Sequence, residues 1–407
     1  MALSFLPLYG SDAFVITKAA TSTHIFPLAL VYDDPELSES AAGIKKLLNS
    51  TGVVEAVILQ EKIPTTKKEM DAYRTRGYSA VLFMQPDADA IAWRLYDTTQ
   101  SQMLLGKKTG SSSHSLLPRL IADAVYTHLF NHDSYFFTKI AYIKKSPSPR
   151  HPHATQLCVL DPVDGSSQVI LKDPRTLVAP QWNFDANSPV WLTVSEFTPQ
   201  NVRLLGVDLL GNSWKILDNE GTCVGAARKD DTSFVYVRSG VLWLYTFDKA
   251  AKKGKHTRIT PKEQVCACPS LLASGDIIYA SGSKIYRYDS KEKKQYPLPI
   301  KGSCIAPDAH AATGRILFSR AVNGVLQIHT VDSAGQHEQQ ITFGPGNKVD
   351  ACWSACGNYM VYTRCQQGKE QIALFNCLTG TERILTPESV QAGYPCWSQK
   401  NSNLCAI

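Results

Sequence analysis

The feature that most constrains the fold is a repeat that occupies the chain after residue 135. Each copy opens with a Trp or a small residue, passes through a turn, and places an aromatic residue nine positions after the opening residue. The opening residues lie 45, 43, 39, 44 and 44 positions apart: Trp182, Ala227, Ser270, Ala309, Trp353 and Trp397. A repeat of about 40–45 residues built from short strands is typical of a β-propeller blade.

A second set of residues repeats with the same period. In each unit an alternating strand ends in Asp or Asn before a turn, at Asp161, Asp208, Asp248, Asp289, Asp332 and Asn376. Two signals with the same count predict six blades. The chain ends soon after Trp397, with only the start of a blade, whereas residues 139–143 supply a spare strand. We therefore expect both ends of the propeller region to share one blade, which removes exposed sheet edges.

Before the repeats, strands and helices alternate. We predict strands at 25–31, 53–59 and 78–83, helices at 38–48 and 65–74, and a hairpin over 91–105. Apolar residues at helical spacing from Leu117 to Leu129 predict an amphipathic helix that packs on the sheet. The predicted fold class is an α/β N-terminal domain plus an all-β six-bladed β-propeller, closed by strands from both ends of the propeller region. The predicted divisions are an N-terminal extension or signal remnant (1–13), the α/β domain (14–134) and the propeller (135–407).

Charge and hydropathy exclude two classes of partner. The net charge is +6 with scattered basic residues, and the densest basic run, Lys249 to Lys255, contains no interleaved aromatic residues. We therefore expect a solvated loop there and no nucleic-acid binding. No apolar run reaches the roughly 20 residues that span a bilayer, so no direct membrane insertion is expected. Residues 2–10 are apolar and fit either a truncated signal sequence or a simple apolar end.

The chain contains eleven cysteines. Several lie in apolar strand patterns, among them Cys158, Cys377 and Cys405, which favours buried thiols. One or two disulfides remain the alternative. The spacing matches no zinc ribbon, so neither a metal nor another cofactor is expected.

No catalytic constellation is apparent, so we expect no enzymatic activity and no catalytic residue. A hydrolase would need a Gly-x-Ser-x-Gly elbow, whereas the Ser- and His-rich stretch 110–115 fits a loop and helix cap. His151 and His153 lack a third ligand. Two alternatives stay open: a propeller-channel hydrolase or peptidase, and a carbohydrate-binding propeller. The second would need exposed aromatic residues at the channel mouth, where Tyr394 fits.

The residues just before the opening positions form the candidate binding surface. We expect the segments that enter each blade to converge around the central channel, and recognition residues concentrate on such segments. The candidate mouth residues are Leu177, Val178, Cys223, Cys266, Lys348, Val349, Asp350, Ala392, Gly393 and Tyr394.

The repeats resemble those of the TolB family, whose core reads Pro-x-Trp-Ser-Pro-Asp-Gly followed by a strand. The best match is residues 341–358, which depart from that core at Ala355 and Cys356, where the family has Pro and Asp. The helix-to-strand junction over 121–143 and the order of elements in the first domain also resemble the family. The resemblance covers nearly the whole chain and is most specific after Ile341.

The resemblance implies a non-enzymatic periplasmic scaffold of the Tol-Pal envelope system, which supports outer-membrane integrity and cell division. In the family, the propeller mouth binds the peptidoglycan-associated lipoprotein Pal, and the mature N-terminal segment binds the inner-membrane protein TolA. By position, Pal binding would fall on the mouth residues, notably Lys348, Val349, Ala392 and Gly393. TolA binding would fall on an extended segment that adds to a partner's sheet edge, formed by Ser11, Asp12, Ala13, Phe14, Val15 and Ile16. We expect a monomer with protein partners.

Overall fold

The computed structural model describes residues 25–110, 116–183, 191–217, 221–230, 232–248, 253–401 and 404. The predicted extension 1–13, the predicted partner-binding segment 11–16, and residues 111–115 of the Ser- and His-rich stretch lie outside these ranges.

The N-terminal α/β segment is built on a five-stranded sheet with the order β2-β1-β3-β4-β5. Its strands are β1 (Phe26–Tyr32), β2 (Val54–Gln60), β3 (Ala80–Asp87), β4 (Ala90–Asp97) and β5 (Gln102–Gly110). Its helices are a 3-10 turn (Pro35–Leu37), α1 (Ser38–Ser50), α2 (Lys67–Thr75) and α3 (Leu117–Phe130). Strand β1 pairs in parallel with β2 and β3, and β3, β4 and β5 are antiparallel. The predicted elements of this segment are confirmed, with ends shifted by a few residues.

Local sequence signals set the ends of these helices. Helix α2 begins with a capping box, in which the Thr66 hydroxyl accepts from the backbone N–H of Glu69 and the Glu69 carboxylate accepts from that of Thr66. Helix α3 has Pro118 in its first turn and ends at Asn131, whose φ of 55° is left-handed. Such caps satisfy backbone groups that a helix end leaves unpaired.

The rest of the described chain forms six four-stranded sheets, which are the blades of a propeller. Blades 1 and 2 contain β9 (Leu177–Asn183), β10 (Trp191–Phe197), β11 (Val202–Asp208), β12 (Ser213–Leu217), β13 (Cys223–Arg228), β14 (Ser233–Arg238), β15 (Val241–Asp248) and β16 (Lys253–Arg258). Blades 3 and 4 contain β17 (Cys266–Leu271), β18 (Ile277–Ser281), β19 (Lys284–Asp289), β20 (Lys294–Pro297), β21 (Cys304–Ala309), β22 (Ile316–Val322), β23 (Val325–Val331) and β24 (Gln339–Gln340). Blade 5 contains β25 (Asn347–Trp353), β26 (Tyr359–Gln366), β27 (Lys369–Asn376) and β28 (Thr381–Ile384).

Blade 6 closes the ring with strands from both ends of the propeller region, as predicted. It contains β29 (Ala392–Trp397), β6 (Ile140–Lys145), β7 (Thr155–Leu160) and β8 (Ser167–Asp173), in the order β29-β6-β7-β8. In the antiparallel pairing of β29 with β6, Trp397 lies opposite Ile140. The inner strand β29 also contacts β9 and β25, so the six inner strands form a closed ring.

The register of the repeats differs from the sequence alignment in three blades. Each inner strand carries one residue with positive φ at a bulge, namely Ala179, Gly225, Cys268, Ala306, Asp350 and Tyr394. The opening position of each blade lies three residues after its bulge residue. In blades 1 to 6 it is therefore Trp182, Arg228, Leu271, Ala309, Trp353 and Trp397. The openings of blades 2 and 3 thus lie one residue later than predicted. In blade 1, Val194 instead of Trp191 occupies the place of the closing aromatic residue. The other closing residues predicted, Tyr236, Tyr279, Phe318 and Tyr362, are fully buried.

The α/β segment packs on blades 5 and 6 through one continuous hydrophobic cluster. The backbone oxygen of Thr51, which follows α1, accepts from the Tyr359 hydroxyl at 3.2 Å and from the Asn376 side-chain amide at 2.7 Å. Arg119 of α3 forms an ion pair of 2.6 Å with Asp161. Within the described ranges, none of the helices combines the length and hydropathy needed to span a bilayer.

Candidate functional site: the propeller channel

The six inner strands surround a central channel with two different faces. We call the front face the end where these strands begin, at Leu177, Cys223, Cys266, Cys304, Asn347 and Ala392. The back face is the end where they finish, at Asn183, Arg228, Leu271, Ala309, Trp353 and Trp397. Tyr359 and Asn376 lie at the back face, so the contacts of Thr51 place the α/β segment there.

The structure brings the predicted mouth residues together at the front face, but within the inner strands instead of in loops. Their side chains fall into two groups. Six of the ten are buried: Leu177, Cys223, Cys266, Lys348, Ala392 and Gly393. Four are half-buried or exposed: Val178, Val349, Asp350 and Tyr394. No partner is present, so partner contact at these positions stays a prediction.

Lys348 shows how burial limits a predicted contact. Its side chain is 3% exposed, and its ammonium group donates to the backbone oxygens of Pro345 and Gly346, both at 3.1 Å. Burial lowers the pKa of Lys348. These hydrogen bonds from Lys348 therefore stabilise the loop before β25.

Exposed apolar side chains surround the front face. Val265 is 71% exposed, Phe343 70%, Tyr394 42% and Ile305 37%. These four residues are called the front patch. Only Tyr394 was predicted from the sequence. The other three lie shortly before or at the start of an inner strand, where the sequence does not distinguish an exposed apolar residue from a buried one.

The back face opens into a cavity of about 770 Å³ that is lined by residues from all six blades. The rings of Trp182, Trp353 and Trp397 contribute to its wall, but each side chain is at most 7% exposed. His310 has both ring nitrogens engaged, with Nδ1 2.9 Å from the Thr313 hydroxyl and Nε2 3.0 Å from the Ala355 oxygen. The histidine of this wall is therefore held as a structural group.

Side chains at one equivalent position of the inner strands link adjacent blades along the channel wall. At equivalent positions, a side chain of one inner strand accepts the backbone N–H of the next inner strand. Ser270 accepts from Ala309 at 3.0 Å, and the Asp308 carboxylate accepts from Trp353 at 2.9 Å. The Cys352 thiol continues the series by accepting from Trp397 at 3.3 Å. This set of positions, completed by Gln181, Ala227 and Cys396, is called the belt.

Two carboxyl groups of the inner strands have raised pKa values. Burial raises the pKa of Asp308 to about 6, although the hydrogen bonds from Trp353 and Cys352 act in the opposite direction. Burial also raises the pKa of Asp350 to about 6, against a hydrogen bond from Thr363. In the described part of the chain, no group of three or more His, Cys, Asp or Glu residues is placed to hold a metal ion.

The fold and the channel define a class of protein: a six-bladed β-propeller with an α/β segment packed on its back face. In sequence, the chain is similar to the Tol-Pal system protein TolB of Gluconobacter oxydans (strain 621H), with 30% identity over 154 residues, or 36% of this chain and 33% of that protein. TolB of Aromatoleum aromaticum (strain DSM 19018 / LMG 30748 / EbN1) is 31% identical over 144 residues, or 31% of this chain and 32% of that protein. No protein-family model matches the chain.

The likeness in fold extends over nearly the whole chain. A crystal structure of TolB from Acinetobacter baumannii matches with a TM-score of 0.73 at 19% identity, covering 94% of this chain and 98% of that one. The chain spans about a third of the length of the curated relatives that it matches in sequence. The predicted resemblance to TolB is confirmed, in sequence over about a third of the chain and in fold over nearly all of it.

Proposed function

We propose that this protein is a non-enzymatic scaffold of a Tol-Pal envelope system in the periplasm, where it supports outer-membrane integrity and cell division. A Pal-type lipoprotein docks on the front face of the propeller. A TolA-type partner binds the N-terminal segment 11–16. The similarity to TolB proteins supports the assignment to this system, and the partners follow from the family resemblance.

The main support for docking on the front face is the front patch of exposed apolar side chains. Phe343 and Tyr394 expose large side chains beside the channel mouth, together with Val265 and Ile305. Interfaces take most of their affinity from a few aromatic and aliphatic anchors that become fully desolvated on binding. The α/β segment lies on the back face, so it leaves this surface accessible to a folded partner.

The cavity at the back face supports binding over catalysis. Its histidine, His310, is engaged at both ring nitrogens. A general base needs a lone pair that can reach a substrate proton. The buried indole rings of the cavity wall also offer no free stacking face of the kind that a carbohydrate site uses.

The test is calorimetric titration of the full chain with the periplasmic domain of the Pal-type lipoprotein from the same organism. Tyr394→Ala and Phe343→Ala should each weaken binding by about tenfold or more, the effect of losing an interface anchor worth at least about 1.4 kcal/mol. Deletion of residues 1–16 should leave this binding intact and remove binding of the TolA-type partner.

Leu210→Ala is the matched control. Leu210 is 89% exposed in the turn after β11, at the back face, so its truncation should not change the affinity. Equal losses for Leu210→Ala and Tyr394→Ala, or no saturable binding by the unmodified chain, would contradict the proposal.

A further inference from the structure

Two thiols of the belt meet where the propeller ring closes. Cys352 lies on β25 of blade 5 and Cys396 on β29 of blade 6, at equivalent positions opposite Val361 and Ala141 of their neighbouring strands. The Cys352 sulfur is 3.3 Å from the backbone nitrogen of Trp397, the residue that follows Cys396. The neighbouring Cys396 thiol and burial raise the pKa of the Cys352 thiol.

The sulfur atoms of this pair also have oxygen contacts, since Cys352 Sγ lies 3.6 Å from the Trp353 oxygen and Cys396 Sγ lies 3.4 Å from Gln181 Oε1. Cys304 has backbone oxygens as its sulfur contacts, at 3.8 Å from Gly302 and 4.0 Å from Lys301. Cys266 has the Thr260 hydroxyl at 3.5 Å. The Cys352 sulfur differs from these two in contacting the backbone of the next inner strand beside a second cysteine, so a disulfide there would join blades 5 and 6.

The pair also has a path to solvent. Cys352 is partly exposed and Cys396 is 4% exposed, and both line the cavity that opens at the back face. A small molecule can therefore reach Cys352 first, with Cys396 behind it. The other belt positions hold groups that cannot be oxidised in this way, such as Ser270 and Asp308.

We propose that Cys352 and Cys396 form a redox modification site, which a small-molecule disulfide oxidises to an intramolecular disulfide that links blade 5 to the closing strand of blade 6. The Cys352 thiolate attacks one sulfur of the oxidant, releasing one thiolate and leaving a mixed disulfide. The Cys396 thiolate then attacks the Cys352 sulfur and releases the second thiolate. In sum, two protein thiols are oxidised to one disulfide, the oxidant is reduced to two thiols, and the two protein protons go to the leaving thiolates.

The disulfide covalently links the strand that closes the ring, β29, to blade 5. In the reduced protein, β29 is held to the rest of the propeller by hydrogen bonds and packing, through its pairing with β6 and its contacts with β25 and β9. A disulfide across the belt constrains the unfolded chain and so stabilises the closed ring. In an oxidising compartment the disulfide between Cys352 and Cys396 would persist.

The test begins with the fully reduced full-length chain, which is incubated overnight with oxidised glutathione at about pH 9, because the raised pKa of Cys352 makes the attacking thiolate a minor species. Remaining thiols are then alkylated, and the protein is digested with trypsin without reduction. We expect the peptide 349–364, which carries Cys352 and Cys356, to be linked to the peptide 384–400, which carries Cys396. Fragmentation of the linked pair should place the bond on Cys352. The oxidised chain should also unfold at a higher temperature than the reduced chain.

Variants separate this pair from its neighbours. Cys396→Ala should abolish the linked peptides and the difference in unfolding temperature, whereas Cys356→Ser and Cys304→Ala should keep both. If a variant fails to fold, the peptide map of the unmodified chain still decides. The proposal is overturned if Cys352 and Cys396 remain separately alkylated, or if 349–364 links instead to 370–383, which carries Cys377.

Discussion

Asp308 shows how one side chain can serve both the wall of the channel and the joint between two blades. Its carboxylate accepts the backbone N–H of Trp353 at 2.9 Å and faces a channel that also contains Asp350. The hydrogen bond stabilises the charged form, but desolvation acts more strongly and raises the pKa of Asp308 to about 6. At pH 7 the native protein therefore carries a carboxylate whose charge is less stable in the folded state than in the unfolded state.

This imbalance predicts how stability depends on pH. The native pKa of Asp308, about 6, lies above that of an unfolded Asp, about 3.9, so protonation favours the folded state. The cost of the charge is present at pH 7 and disappears as the pH falls through 6 toward 4. Asp308→Asn keeps an oxygen for the Trp353 N–H, so it should raise the free energy of unfolding at pH 7 by about 1–2 kcal/mol. This gain should shrink by about pH 4.5.

Urea unfolding of both proteins at the two pH values measures the difference. Comparing the variant with the parent cancels the other titrating groups. A gain that does not change with pH, or a loss of stability at pH 7, would show that the Asp308 charge is not the cause.

At the scale of secondary-structure elements, the turn after the third strand of each blade explains the second repeat. In five blades the structure describes this side chain, and there it accepts backbone N–H groups two or more residues further on, at Asp161, Asp208, Asp289, Asp332 and Asn376. Asp208 accepts from Leu210 at 3.0 Å, and Asp332 accepts from Ala334 at 2.9 Å. Asp and Asn favour such turns because a short side-chain oxygen reaches the following backbone. The regular spacing of these Asp and Asn residues therefore reflects the hydrogen bonds that stabilise the turns.

Asn376 is the one Asn in this series, and its contacts explain the choice. Its side-chain oxygen accepts from Leu378 at 2.8 Å, as the Asp residues do in other blades. Its side-chain nitrogen also donates to the Thr51 oxygen at 2.7 Å, which an Asp carboxylate cannot do. The turn of blade 5 is thus also a contact with the α/β segment.

Asn376→Asp should lower the free energy of unfolding by about 1–3 kcal/mol, because the carboxylate would leave the buried Thr51 oxygen without this donor and bring two acceptors together. The reciprocal control is Asp289→Asn in blade 3, which keeps the oxygen that accepts from Lys291 and Glu292. That change should stay within about 0.5 kcal/mol. Denaturant unfolding at pH 7 measures both. Similar effects of the two substitutions would mean that the Thr51 contact contributes little.

At the scale of the whole molecule, the packing joins the α/β segment and the propeller into one unit. The largest hydrophobic cluster runs from Leu28 and Ile44 of the α/β segment through Tyr135 to Tyr359 and Trp397 of the propeller. Lys400, just after the last strand, adds ion pairs of 2.9 Å to Asp123 of α3 and to Asp133. The predicted division at residues 134 and 135 therefore separates two patterns of secondary structure across a shared core.

A shared core predicts one cooperative transition. Scanning calorimetry of the reduced protein should show a single peak whose calorimetric and van't Hoff enthalpies agree, because neither part keeps its buried surface when the other unfolds. Two resolved transitions would show that the α/β segment and the propeller are stable independently.

The sequence alone determined the architecture to a large extent. Hydrophobic alternation, helical spacing and turn residues are local properties, so they reveal the α/β elements, the count of six blades and the strands that close the ring. The predicted register is correct in blades 5 and 6, where Trp353 and Trp397 mark the opening, and in blade 4, which opens at Ala309. In blades 2 and 3 the prediction placed the opening at the small residue just before Arg228 or Leu271, because no Trp marks that position.

Only the tertiary structure decided which side chains are exposed to solvent and which lie next to each other. Lys348 and Tyr394 both belong to the predicted mouth, yet one is 3% exposed and the other 42%. Cys352 and Cys396 lie 44 residues apart and become neighbours through the curvature of the ring. The period of a repeat reports the strands within each blade, whereas the contacts between blades depend on how the sheets pack around the channel, and no local pattern in the chain encodes that geometry.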